Sequence, residues 1–93
     1  MIVGVCELEL HIPGCTSLKE KRLVLKSLQA RLRNRCNVAV SESRWHDLWQ
    51  RSALCVVTVS NDSAVVYSIL SKAEKLVEKD MRAQLVDVHV ELR

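Results

Sequence analysis

The residues best suited to bind another molecule are the basic side chains between Ser17 and Arg35. This segment holds seven of the fourteen Lys and Arg residues of the 93-residue chain, and Glu20 is its only acid. The chain as a whole carries a formal net charge of only +3, so its charge is strongly polarised. A one-sided basic segment is typical of a surface that meets an anionic partner such as the phosphates of a nucleic acid.

Four of these cations share one flank of a predicted helix. Lys19, Arg22, Lys26 and Arg33 are separated by 3, 4 and 7 residues. At about 100° per residue, this spacing places them in one narrow sector beside a stripe of leucines. The alternative is a merely solvated helix face whose long side chains cover apolar neighbours.

The segment from Trp45 to Arg51 reads WHDLWQR and is the other unusual stretch. Two tryptophans, a histidine and an acid in a connection between strands could form a recognition site, because loops often carry function. The alternative is packing, in which one or both tryptophans fold over the edge of the core while Asp47 and Arg51 hold the loop. For the binding interpretation, the predicted nucleic-acid contacts are Lys19, Lys21, Arg22, Lys26, Arg33, Trp49 and Arg51.

Catalytic and metal-binding patterns are absent from the sequence. It contains no glycine-rich phosphate loop, no HExxH and no nucleophile elbow, so we expect no catalytic residues and no cofactor. None of the four cysteines forms a CxxC pair, which predicts free thiols and no metal site. Two alternatives stay open: zinc held with the help of the three histidines, and a small enzyme that uses His46 and Asp47.

The apolar stretches bear on localisation. No basic region precedes the apolar run at the N-terminus, which is unlike a signal peptide, and no stretch approaches the roughly 20 apolar residues of a membrane span. We therefore predict a cytoplasmic protein without a membrane partner.

Periodicity predicts the order β-α-β-β-α-β in a single domain over residues 1–93. Alternating or β-branched runs predict strands at 2–11, 38–42, 53–60 and 84–92. Ser17 and Glu20 form a candidate capping box that starts the first helix, and Asn34 or Asn37 could end it. A second helix is predicted at about 63–79. Two β-α-β units in so short a chain indicate a ferredoxin-like α+β fold, with both helices on one face of a four-stranded antiparallel sheet.

The other face of that sheet is predicted to lack stacking aromatics. The chain has no Phe, and its one Tyr lies in the second helix, which argues against RNA binding by base stacking on the sheet. Val3, Val5 and Leu85 are instead predicted to lie on this face, where they could support a homodimer.

Four stretches carry a resemblance to a known family: HIPGCTSLKEKR, RLRNRCNVAVSE, DLWQRSALCVVTVSND and LVDVHVE. In these, the chain resembles the YlxP-like family of small bacterial proteins, a domain of unknown function. The resemblance implies a ferredoxin-like fold and a cytoplasmic bacterial protein, often encoded among transcription and translation genes near a ribosome-binding factor. It carries over no catalytic residues.

The leading hypothesis from the sequence is therefore a non-enzymatic cytoplasmic accessory protein that associates with RNA or a ribosomal particle through the basic first helix. The alternative is a sheet-mediated homo-oligomer that binds a protein or a small ligand and has no nucleic-acid role.

Overall fold

A computed structural model describes all residues, 1–93, and confirms the predicted order of elements. The four strands form one antiparallel sheet in the order β2-β3-β1-β4, so the first and third strands are central, as predicted. Neither helix is both long enough and apolar enough to cross a membrane. The elements are β1 (Ile2–His11), α1 (Leu18–Arg35), β2 (Ala39–Arg44), β3 (Arg51–Ser60), α2 (Ser63–Glu78) and β4 (Gln84–Leu92).

Both helices cover one face of the sheet, and the core lies between the two layers. Alternation along β1 directs Cys6, Leu8 and Leu10 toward the helices, where all three are buried. The helices contribute residues at helical spacing, among them Leu28 of α1 and Val66 of α2. We call the uncovered side of the sheet the open face.

The start of α1 confirms half of the predicted capping box. The Ser17 Oγ accepts a hydrogen bond from the Glu20 backbone N–H at 3.1 Å. The Glu20 carboxylate, however, accepts from the backbone N–H and the hydroxyl of Thr16, at 2.8 and 3.0 Å, so its predicted bond to the Ser17 amide is wrong. These two bonds lower the pKa of Glu20 below its usual value. The Glu20 side chain therefore still accepts from a backbone N–H just before the helix, but from that of Thr16 rather than from that of Ser17.

The end of α1 differs from the prediction. Cys36 follows the helix with φ −128°, an extended conformation, and its N–H donates to the Leu32 carbonyl. The only positive φ in the chain is that of Trp45, so the predicted left-handed stop at Asn34 or Asn37 is wrong.

Strand β4 contains an irregularity that changes which residues face the core. Its register against β1 shifts between Glu9 and Leu10, where the bulge accommodates Val86 as an extra residue. Leu85 consequently pairs with Leu10 and packs against the core, so its predicted place on the open face is wrong. Val86 itself is 56% exposed.

Candidate nucleic-acid interface

The four cations at spacing 3, 4 and 7 on α1 are all exposed, and we call them the basic row: Lys19, Arg22, Lys26 and Arg33. None of them forms an ion pair with a carboxylate of the protein. The first three line a groove of about 320 Å³ beside the edge strand β2. The row therefore presents four unpaired positive charges, three of them along a concave surface whose lining also includes Glu42, the partner of Lys21.

Arg33 extends the row to the far end of β2. One guanidinium nitrogen, Nη2, donates to the Val40 carbonyl at 3.0 Å and to the Gln29 Oε1 at 3.4 Å. Both acceptors are neutral, so these bonds orient the guanidinium without compensating its charge.

Lys21 lies elsewhere, and its predicted role as a phosphate contact is wrong. Its side chain is 1% exposed, and its Nζ lies 2.9 Å from the Glu42 Oε2 under α1. Lys21 precedes Leu25 by four residues and Leu28 by seven, so the helical periodicity already places it within the leucine stripe rather than in the basic row. The spacing in the sequence is thus sufficient to predict that Lys21 is buried.

The ammonium of Lys21 also connects α1 to the loop that follows β2. Its Nζ donates to the backbone carbonyl of Trp45 at 2.6 Å, while Glu42 accepts a second hydrogen bond from the Ser52 hydroxyl at 2.7 Å. Trp45 has φ 61°, a left-handed conformation that costs a residue with a side chain about 1 kcal/mol or more. The buried lysine thus stabilises the strained first residue of the loop.

The Trp45 ring packs against two arginines at the open face. The guanidinium carbons of Arg44 and Arg51 lie 4.2 and 3.7 Å from its centroid. Both arginines also form ion pairs with Glu9, at 3.3 and 3.5 Å, and Arg44 pairs with Glu7 at 2.6 Å. Arg51 therefore lies on the opposite side of the sheet from the basic row, and its charge is compensated within the protein.

The middle of the loop, from Asp47 to Gln50, is exposed, and its far end is anchored. Gln50 accepts from the Ile12 N–H through its backbone carbonyl at 2.9 Å, and its side-chain amide donates to the Cys15 carbonyl at 3.1 Å. Leu48 and Trp49 remain exposed, at 45% and 52%, beside an open concavity of about 550 Å³. Trp45 thus packs between two arginines of the open face rather than over the core edge, whereas Trp49 is exposed.

The titratable groups of the loop do not assemble into a reactive constellation. The Nε2 of His46 lies 3.1 Å from the Glu42 carbonyl oxygen, and Asp47 makes no side-chain hydrogen bond within the protein.

Two buried thiols outside the loop have raised pKa values. Burial raises the pKa of the Cys6 thiol to about 11 and also raises that of Cys15. No group of three or more His, Cys, Asp or Glu side chains lies close enough together to hold a metal ion.

Sequence reasoning missed a second set of cations. Lysines on one side of α2 and arginines on the neighbouring flank of α1 line a groove between the helices. The spacings of 3 and 4 between Lys72, Lys75 and Lys79 already place them on one flank of a helix. The sequence does not show that α1 brings two arginines beside them.

Comparison with known proteins agrees with the resemblance seen in the sequence. A family model described as "Protein of unknown function (DUF503)" matches residues 3–90. The chain is also similar to the "Uncharacterized protein YlxP" of Bacillus subtilis (strain 168), with 42% identity over 60 residues, which is 64% of this chain and 65% of that protein. The matched region thus spans slightly less than two thirds of that relative's length. The chain belongs to the DUF503 family.

Proposed function

We propose that this protein is a non-enzymatic, cytoplasmic accessory protein that associates with RNA or a ribosomal particle through α1. The observation that carries the proposal is the basic row, in which four exposed cations have no carboxylate partner in the protein. By contrast, the two cations of the open face nearest the loop, Arg44 and Arg51, are both paired.

The shape of the basic row suits a phosphate backbone. Lys19, Arg22 and Lys26 lie along one groove, and Arg33 continues the same flank of the helix. Neutralising four phosphates of a single strand gives a slope of about −3 in a plot of log affinity against log salt concentration. Trp49 supplies an exposed ring for base stacking, worth about 1–3 kcal/mol where a base reaches it.

Co-sedimentation with ribosomal subunits tests the proposal. We expect wild-type protein to sediment with the subunits at about 50 mM salt and to remain in the supernatant at about 300 mM, the range over which phosphate contacts weaken steeply. Reversing three charges of the row, with Lys19→Glu, Arg22→Glu and Lys26→Glu, should abolish association while thermal unfolding stays close to wild type.

A matched control separates the row from the overall charge. Lys72→Glu, Lys75→Glu and Lys79→Glu change the net charge by the same amount on the other helix, and should weaken association only a few-fold. Equal losses in the two variants would show that only the total charge matters. Undiminished association of the row variant would contradict the proposal.

A second candidate function is homodimerisation through the open face. One end of that face is apolar, because Val3 pairs with Val59 and Val5 with Val57 across the two central strands, and Val59 is 48% exposed. Sedimentation equilibrium across the micromolar range tests it: Val59→Lys should shift a dimer to monomer, whereas Val65→Lys, an exposed valine of α2, should not. A wild-type protein that is monomeric throughout would contradict it.

A further inference from the structure

The groove between α1 and α2 is a second cationic surface, separate from the basic row. Its volume is about 200 Å³, and no carboxylate lines it. Only Arg31 has an acidic partner, Asp80, at 3.1 Å. We call this surface the inter-helix groove, and its lining residues are Arg31, Arg35, Lys72, Lys75, Leu76 and Lys79.

The cations of the inter-helix groove repel one another along each helix. Arg31 and Arg35 are four residues apart on α1, and the two lysines of α2 and its C-cap Lys79 are spaced by three and four residues. Like charges at these spacings lie on adjacent turns of a helix and destabilise it. Neither Arg35 nor any of the three lysines forms an ion pair with a carboxylate, so the groove is arranged to gain stability from an added anion.

Interaction with the helix dipoles explains the positions of only some of these cations. Arg35 and Lys75 lie in the last turns of their helices and Lys79 is the C-cap of α2, where a positive charge is stabilised by the helix dipole. Lys72 lies three residues before Lys75, outside the last turn of α2, and the dipole gives no reason for the cations of both helices to line one groove. The convergence of the two helices therefore points to a ligand.

The inter-helix groove and the basic row face in different directions. Arg31 follows Arg22 by nine residues, which at about 100° per residue is half a revolution of the helix. A ligand held in the groove therefore does not occupy the row, and this inference does not rest on the proposed association with RNA.

We propose that the inter-helix groove binds the phosphate chain of a small polyphosphate, a diphosphate or triphosphate that is free or carried by a nucleotide. A nucleic-acid strand supplies about one charge per 3.4 Å of its axis, whereas a triphosphate concentrates several charges within one short chain. Five cations around one small concavity match the concentrated charge of a triphosphate. Lysines act as point charges toward phosphate oxygens, and the two arginines add planar donor pairs.

Thermal unfolding at constant ionic strength tests the proposal, with inorganic triphosphate as the probe and sodium chloride to match the salt. Triphosphate at about ten times its Kd should raise the Tm by roughly 5 °C or more, while inorganic phosphate should give a much smaller shift. The variant Lys72→Gln, Lys75→Gln, Lys79→Gln should lose the shift caused by triphosphate. The matched control Lys19→Gln, Arg22→Gln, Lys26→Gln should retain it.

A parallel measurement with a nucleoside triphosphate shows whether the bound phosphate chain is free or carried by a nucleotide. A shift equal to that of inorganic triphosphate indicates that the groove holds the phosphates alone, and a larger shift indicates that the nucleoside adds contacts; both support the proposal. The absence of a shift at millimolar triphosphate, or an equal loss of the shift in both triple variants, would overturn it. Should the α2 triple variant fail to fold, Lys72→Gln alone makes the same test with a partial loss of the shift.

Discussion

The two faces of the molecule treat their basic side chains differently. On the open face and its edge, Arg44, Arg51 and Arg93 each lie within 3.5 Å of a glutamate. The helical layer, by contrast, holds all eight Lys and Arg residues that have no acidic partner, and these divide between the basic row and the inter-helix groove. They are Lys19, Arg22, Lys26, Arg33, Arg35, Lys72, Lys75 and Lys79.

Secondary structure explains this difference. On a sheet, side chains of neighbouring strands lie close together, so Arg44 of β2 reaches Glu7 and Glu9 of β1 across the intervening strand. On a helix surface the nearest candidate partners lie three or four positions away, and α1 contains only one acid. The open face is thus internally neutralised near the loop, whereas the helical layer projects its charge into solvent.

Lys21 is the one buried cation of the helical layer, and removing its charge should have the largest effect on stability. Lys21→Met leaves Glu42, which is largely buried, without its cation, and we expect the free energy of unfolding to fall by about 3 kcal/mol. Denaturant unfolding measures this loss. Lys19→Met, two residues away and exposed, is the control and should change stability by less than about 0.5 kcal/mol. Equal effects of the two substitutions would show that Lys21 is solvated in solution.

The contact between the two layers is tested at Gly4. A methyl group placed there would overlap the Val66 Cγ1 of α2 and lie 3.1 Å from the Leu70 Cδ1. Val66 is short and fully buried, so α2 must shift away from β1, and Gly4→Ala should lower stability by about 2 kcal/mol. Gly14→Ala is the matched control, because no atom lies within 4 Å of the added methyl group. An unchanged midpoint of denaturation for Gly4→Ala would mean that the layers pack less closely than described.

Asp80, which pairs with Arg31 of α1 and with Arg82, makes stability depend on pH. Hydrogen bonds from the Arg82 side chain, assisted by the Arg82 backbone N–H and the charge of Arg31, lower the pKa of Asp80. Since the folded pKa is below the unfolded value of about 3.9, the stabilisation is complete above that pH and is lost as the pH falls through the folded pKa.

Replacing Asp80 should remove this pH dependence. Asp80→Asn should lower the free energy of unfolding by about 2 kcal/mol at pH 7, because hydrogen bonds to a buried charge are lost. The difference from wild type should shrink as the pH falls below about 4, the unfolded pKa, as measured by urea unfolding at each pH. A difference that stays constant over this range would show that the charge of Asp80 contributes nothing.

The smallest expected effect concerns single charges on the two faces. Lys26→Gln should weaken RNA association a few-fold and reduce the magnitude of the salt slope by about 0.7–0.9, the contribution of one phosphate contact. Arg93→Gln removes the same charge from the paired set and should leave the slope unchanged. Salt titrations of filter binding measure both. Equal slopes for the two variants would remove the distinction between the faces.

Much of the fold follows from periodicity, whereas parts of the site depend on contacts between distant segments. The alternation around Leu8 and the continuous apolar run of β3 were enough to predict the sheet and its central strands. The assumption of strict alternation placed Leu85 on the wrong face, because no residue type in β4 indicates the bulge. The left-handed conformation of Trp45 was equally hidden, since it depends on the ammonium of Lys21 reaching its carbonyl from a helix 24 residues away in sequence.

The two tryptophans also give the protein an intrinsic optical reporter. Trp49 lies exposed in the middle of the loop, while two guanidinium groups and the end of the sheet hold Trp45. A soluble quencher should therefore reduce the emission of Trp49 first and reach Trp45 fully only when the loop leaves the sheet. Quenching of the tryptophan fluorescence can thus distinguish a partner that covers the loop from a change that releases it, without any added label.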